Sequence, residues 1–218
     1  NSGAYSAVAT MKEGALFELN GGTISDNIRG YQNGSSITYM NSYGTVTVEN
    51  GAQMVMTGGS IENNRNATNS GSGSSAVVVY NGSTFTMTGG VIRGNTGTSG
   101  AVYVSNGNNG FIISGNENTG SYYGGVRANG YFGELKLTGG VITGNTSRSG
   151  GGGGVYVGNS SNKVTINGTQ IYGNTSGNDL GNDVYFEPNS HVLALRNPAE
   201  YGMDAYDCWH DDLGGEDY

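Results

Sequence analysis

Short alternations of apolar and polar residues recur along this chain, and none of them is long. Residues 85–87 (Phe-Thr-Met), 135–137 (Leu-Lys-Leu) and 164–166 (Val-Thr-Ile) repeat with a period of two. Alternation of this kind predicts a strand with one buried face. Each run leads into a glycine turn, an isoleucine and a closing asparagine. Residues 20–27 read NGGTISDN, 57–64 TGGSIENN, 88–95 TGGVIRGN, 138–145 TGGVITGN and 167–174 NGTQIYGN, while 112–116 (IISGN) keep only the second half. The closing asparagines, Asn27, Asn64, Asn95, Asn116, Asn145 and Asn174, lie 37, 31, 21, 29 and 29 residues apart. A third landmark is a β-branched residue after a small or polar one, at Val8, Ile37, Val77, Val102, Val126, Val155 and Val184, spaced 29, 40, 25, 24, 29 and 29.

A unit of this length, repeated from end to end, is the signature of a chain built by stacking. No helical period fits between the strands, so each strand must pair with its counterpart in the next repeat. Such pairing is parallel, with neighbours about 4.8 Å apart, and parallel crossovers are overwhelmingly right-handed. The predicted fold is all-β, a right-handed parallel β-helix (solenoid) of about seven windings over residues 1–196, with an acidic C-terminal tail, 197–218, as its cap.

In-register stacking assigns roles to the repeated residues. Ile24, Ile61, Ile92, Ile142 and Ile171 are expected to form one inward row. Phe17 and Leu19, Met54 and Met56, Phe85 and Met87, Leu135 and Leu137, and Val164 and Ile166 should form a second. The six asparagines are expected to stack at a corner as a structural ladder, because Asn amides bond readily to turn backbone. The 40-residue spacing from Ile37 to Val77 marks an insertion, with residues 39–48 as extra strand and 66–75 as a projecting loop. The five glycines at 150–154 read as a flexible lead-in.

Composition narrows the function classes. The chain has 42 Gly and 2 Pro in 218 residues, with 12% charged residues, which disfavours both a helical bundle and a charged disordered chain. A net charge of -8 with only 9 scattered Lys and Arg argues against nucleic acid, whose binding rests on clustered cations. No apolar run is long enough for a membrane-spanning helix, so no membrane insertion is expected in this segment. Cys208 is alone, which excludes an intramolecular disulfide framework. The chain starts at Asn1 without a leader, which suggests processing or a longer parent.

The stretches STFTMTGGVIRGNT, SGAVYVSN, ELKLTGGVITGNTSRSGGGGGVYVGN and GNDLGNDVYF resemble the β-helix repeats of large bacterial surface proteins related to the polymorphic outer-membrane-protein and adhesin-like families. The similarity covers residues 8–186. It implies an extracellular or cell-surface location and an adhesive or structural duty.

Any surface chemistry would have to come from the outward positions. After the β-branched landmark these are Ala9, Thr38, Val78, Tyr103, Arg127, Tyr156 and Tyr185, and on the middle strand Glu18, Val55, Thr86, Lys136 and Thr165. Neither row pairs carboxylates as a polysaccharide lyase or glycoside hydrolase of this fold would need, so no enzyme, catalytic residue, metal or cofactor is expected. Tyr103, Arg127, Tyr156 and Tyr185 form an aromatic stripe that could stack on a glycan or meet a partner protein on a host or neighbouring surface. The alternative is that these tyrosines stack on one another across levels. The tail carries Asp204, Asp207, Asp211, Asp212, Glu216 and Asp217 beside Cys208 and His210, at no spacing known for a metal; it reads instead as a cap, with Tyr206 and Trp209 on the last winding. Only residues 4–9 could cover the first winding, so head-to-tail stacking on another copy, giving a self-assembling filament, is a rival reading. A β-helical carbohydrate-active enzyme is the second rival. Asn66-Ala-Thr and Asn81-Gly-Ser are glycosylation sequons.

Overall fold

The computed structural model describes residues 2–3, 6–10, 13–29, 31–33, 36–38, 44–66, 76–79, 82–97, 101–102, 106–107, 112–118, 125–128, 134–138, 140–157, 163–167, 169–177 and 181–186. The tail at 197–218 and Tyr103 lie outside them. The fold is all-β: the described elements are short strands, and nearly all pair in parallel with the matching strand of the neighbouring repeat.

One six-stranded sheet takes the isoleucine run of each repeat, Thr23–Ser25, Ser60–Glu62, Val91–Arg93, Ile112–Ser114, Val141–Thr143 and Gln170–Tyr172. Its register sets Ile24, Ile61, Ile92, Ile113, Ile142 and Ile171 in one row. The degraded copy at 112–116 thus supplies Ile113 to the row. From Ile61 onward these side chains are at most 1% exposed, and burying each contributes about 1.5 to 3 kcal/mol.

A second six-stranded sheet collects Leu16–Leu19, Gln53–Met56, Thr84–Met87, Asn106–Gly107, Glu134–Thr138 and Lys163–Asn167. Leu19, Met56, Met87, Gly107, Leu137 and Ile166 share one row. Long, flexible methionines suit this row, because its partners change from Leu to Gly along its length. A left-handed glycine follows these strands: Gly22, Gly59, Gly90 and Gly140 have φ of 80°, 77°, 88° and 79°. A Cβ on Gly59 would lie 2.7 Å from the Gly22 carbonyl oxygen, so the turn needs glycine for both conformation and room.

The third stack is the β-branched landmark. Val8–Thr10, Val46–Val48 and Val77–Val79 form one three-stranded sheet, and Val126–Ala128, Val155–Val157 and Val184–Phe186 another. Val102 bridges Val77 to Val126, so the two join into seven levels. A fourth, seven-stranded sheet of two-residue strands follows the asparagines: Ser2–Gly3, Ile28–Arg29, Arg65–Asn66, Thr96–Gly97, Glu117–Asn118, Thr146–Ser147 and Thr175–Ser176.

Three sequence expectations change. The second valine level is Val46, not Ile37, which instead pairs with Gln32 in an antiparallel hairpin of Tyr31–Asn33 and Ser36–Thr38. The insertion therefore falls between the first and second levels. Ile37 and Val46 are equally β-branched, so residue type cannot choose between them. Val46 fits because the Gly44 N–H donates to Thr47 Oγ1 at 3.2 Å and Gly44 packs against Val78 of the next level. The projecting loop also starts later than expected, since Asn66 is a buried member of the seven-stranded sheet; residues 67–75 lie outside the described set.

The third change concerns the glycine run. All five residues at 150–154 are buried. Gly152 N–H and Gly154 N–H donate to the Gly181 and Asn182 carbonyls at 3.0 Å, and the Gly153 and Gly154 carbonyls accept from Gly125 and Val126 at 2.8 Å. A Cβ on Gly154 would lie 2.6 Å from the Asp183 carbonyl oxygen. The run is a close-packed part of the stack, and glycine is required at 152–154 because neighbouring backbones leave no space for a side chain.

Candidate functional site

The aromatic stripe belongs to the valine sheet. Backbone pairing sets Arg127, Tyr156 and Tyr185 in register, with Ala9, Thr47 and Val78 as the matching row of the first three levels. Thr38, expected in that row, pairs with Tyr31 in the hairpin. The row was expected to face solvent. Thr47 and Val78 are instead 0% exposed and Tyr156 1%, while Tyr185 is half-buried. The described lead-ins to the strands at Val8, Val46 and Val155 fold back over this face. Ser6 Oγ meets Thr47 Oγ1 at 2.6 Å, Gly44 lies on Val78, and a Cβ on Gly152 would come within 2.9 Å of the Tyr156 Cβ. The Tyr156 and Tyr185 rings stack on each other, with centroids 5.8 Å apart and planes at 18°. Tyr156 therefore offers no open ring face to a ligand, and alternation alone could not reveal this because the covering segment comes from elsewhere.

Among the described residues the asparagine corner carries a polar network that continues from level to level. Each asparagine follows a left-handed residue, Asp26, Asn63, Gly94, Gly115, Gly144 or Gly173, with φ between 55° and 62°. Only Gly, Asn and Asp adopt this conformation readily. The turn delivers the amide inward, and the amides bond from level to level. Asn95 Oδ1 accepts from the Asn64 backbone N–H at 3.0 Å and from Asn64 Nδ2 at 2.9 Å. Asn95 Nδ2 in turn donates to the Ile61 carbonyl and to Asn116 Oδ1, both at 2.9 Å. The same bonds link Asn27 to Asn64, Asn116 to Asn145 and Asn145 to Asn174. Each interior asparagine thus uses both lone pairs of Oδ1 and both hydrogens of Nδ2, its whole capacity. Such a fully satisfied buried network rigidifies the core around it.

The ladder has one member that was not anticipated. After Asn174 the next acceptor is Asp183, whose Oδ1 receives the Asn174 backbone N–H at 3.1 Å and Nδ2 at 2.8 Å. The signal was in the sequence: Asp183 stands before Val184 where the other levels carry Ala, Thr or Gly.

Two acids near this corner are bound to arginines of the adjoining level. Arg93 Nε meets Glu62 Oε2, and Arg148 Nε meets Glu117 Oε1, each at 2.7 Å. Both arginines are largely exposed, so each pair contributes less than about 1 kcal/mol. Among the described residues no three His, Cys, Asp or Glu side chains cluster as a metal site would require, and no helix is long and apolar enough to cross a membrane. The acidic residues, His210 and Cys208 of the tail lie outside the described residues, as does the sequon Asn81. Asn66, the other sequon, is 3% exposed and has no room for a glycan once the chain is folded. No family model, no curated protein and no solved structure matches the chain.

Proposed function

We propose that the stacked sheets are the faces of one right-handed parallel β-helix of about seven windings, and that this rod is a non-enzymatic extracellular or cell-surface module with an adhesive or structural role. The handedness rests on the strong chiral preference of parallel crossovers. The observation that carries the reading is the continuity of the asparagine ladder from Asn27 to Asn174. Its amides are spent on joining levels, and the Glu62 and Glu117 carboxylates are likewise spent on arginines of neighbouring levels. Side chains used in this way support a stiff, extended body. The surface setting follows the resemblance to bacterial adhesin-like repeats, and a glycan or protein on a facing cell is the partner such a body would meet.

The test joins two measurements on the same preparation. Beads coated with the full chain are scored for attachment to panels of glycans and extracellular proteins, while soluble chain is incubated with polysaccharides and assayed for reducing ends and unsaturated products. Attachment without product is expected. Catalytic accumulation of either product overturns the reading in favour of a carbohydrate-active enzyme.

A further inference from the structure

Asp183 differs from every other member of the ladder in where it comes from. The asparagines close their repeats, whereas Asp183 lies in the lead-in, directly before the valine strand Val184–Phe186. Its backbone aligns with a column of small residues. Val46 N–H donates to the Ala76 carbonyl, Val77 to Ala101, Val102 to Gly125, Val126 to Gly154 and Val155 to Asp183. The column is small because the ladder amide of the same repeat packs against it. A Cβ on Gly125 would lie 3.2 Å from Asn145 Cγ and Nδ2, and one on Gly154 would lie 2.8 Å from Asn174 Nδ2. Only at the last level does this position carry a long polar side chain, and there it points into the seat itself.

The geometry supports a specific role. The bonds from Asn174 to Asp183 Oδ1, at 3.1 and 2.8 Å, reproduce those from Asn145 to Asn174 Oδ1, both at 2.9 Å. Asp183 is 0% exposed, so its carboxyl group fills a buried seat that a following asparagine would otherwise occupy. The sequence after Asp183 contains no further Gly-Gly-x-Ile-x-x-Asn. We infer that Asp183 is the terminator of the asparagine ladder: it consumes the last pair of donors and excludes another asparagine repeat from that end. This has a consequence for assembly. The ladder is directional, with donors pointing toward higher residue numbers, and a second copy adding at that end would have to place its Asn27 Oδ1 on the Asn174 donors. Asp183 already holds them. The structure therefore argues against filament growth by extension of this ladder.

Amide hydrogen exchange on the full chain tests the inference, comparing wild type with Asp183→Ala, which restores the small residue of other levels, and Asp183→Asn, which keeps an Oδ1 acceptor. In wild type and Asp183→Asn the Asn174 backbone N–H should exchange as slowly as that of Asn145. In Asp183→Ala, exchange at Asn174 should accelerate by on the order of a hundredfold relative to Asn145. Fast exchange at Asn174 in wild type or in Asp183→Asn overturns the assignment, and so does unchanged slow exchange in Asp183→Ala. The Asp183→Asn arm remains decisive if Asp183→Ala does not fold. Sedimentation of wild type should show one species over a hundredfold range of concentration, and end-to-end filaments from wild type overturn the proposed block.

Discussion

Replacing Asn95 by Leu probes the ladder at its centre. Leucine branches at the same carbon as asparagine and is larger, so the change removes hydrogen-bonding groups without leaving a hole. Two buried donors lose their acceptor, the Asn64 backbone N–H and one Asn64 Nδ2 hydrogen, while the Ile61 and Arg93 carbonyls, which also take part in the backbone pairing between levels, each lose one donor. Asn116 Oδ1 loses one donor but keeps the Asn95 backbone N–H at 3.0 Å. An unsatisfied buried group costs about 1 to 3 kcal/mol, and about 1.5 kcal/mol for each of the two donors amounts to about 3 kcal/mol. With a urea slope of about 3 kcal/mol per M, the unfolding midpoint should fall by about 1 M. The control is Asn27→Leu at the first level. Asn27 donates to Asn64 Oδ1 and Ser25 O, and no described residue donates to its Oδ1. That substitution strands no donor, so a loss near 1 kcal/mol is expected. Equal midpoints for the two variants would refute the account of the ladder as a satisfied, level-joining network.

Three further substitutions test packing. Gly154→Ala should destabilise by about 1 to 3 kcal/mol in urea titration, because its Cβ would lie 2.6 Å from Asp183 O and 2.9 Å from Ile171 Cγ2. Gly21→Ala should stay within about 0.5 kcal/mol, since nothing lies within 4 Å of its Cβ. Tyr185→Ala should cost about 0.5 to 1.5 kcal/mol beyond buried area and alter the near-UV circular dichroism that a stacked Tyr156–Tyr185 pair produces. An unchanged near-UV spectrum would argue against that stack.

Residue pattern alone determined that this chain is β-rich and that its repeats pair in parallel. Parallel stacking places like on like, so each isoleucine and asparagine announces its row by recurring at the same point of the unit. The Ile24 to Ile171 row and the partners of Asn64, Asn95, Asn116 and Asn145 are consequences of that repetition. What tertiary structure decided lies where the repetition breaks or where one segment covers another. Val46 prevailed over Ile37 because it fits against Gly44, Val8 and Val77, a choice that β-propensity cannot make. Val78 and Tyr156 read as outward by alternation, yet alternation says only which residues share a face and not what lies over it. The glycines at 150–154 suggested freedom, whereas contact with neighbouring backbones removed it. Asp183, one letter from asparagine but in another register, could be recognised as the end of the ladder only when its carboxyl was seen on Asn174. A hydrogen bond depends on where two atoms meet in space, and a break in a repeat leaves that meeting to the fold.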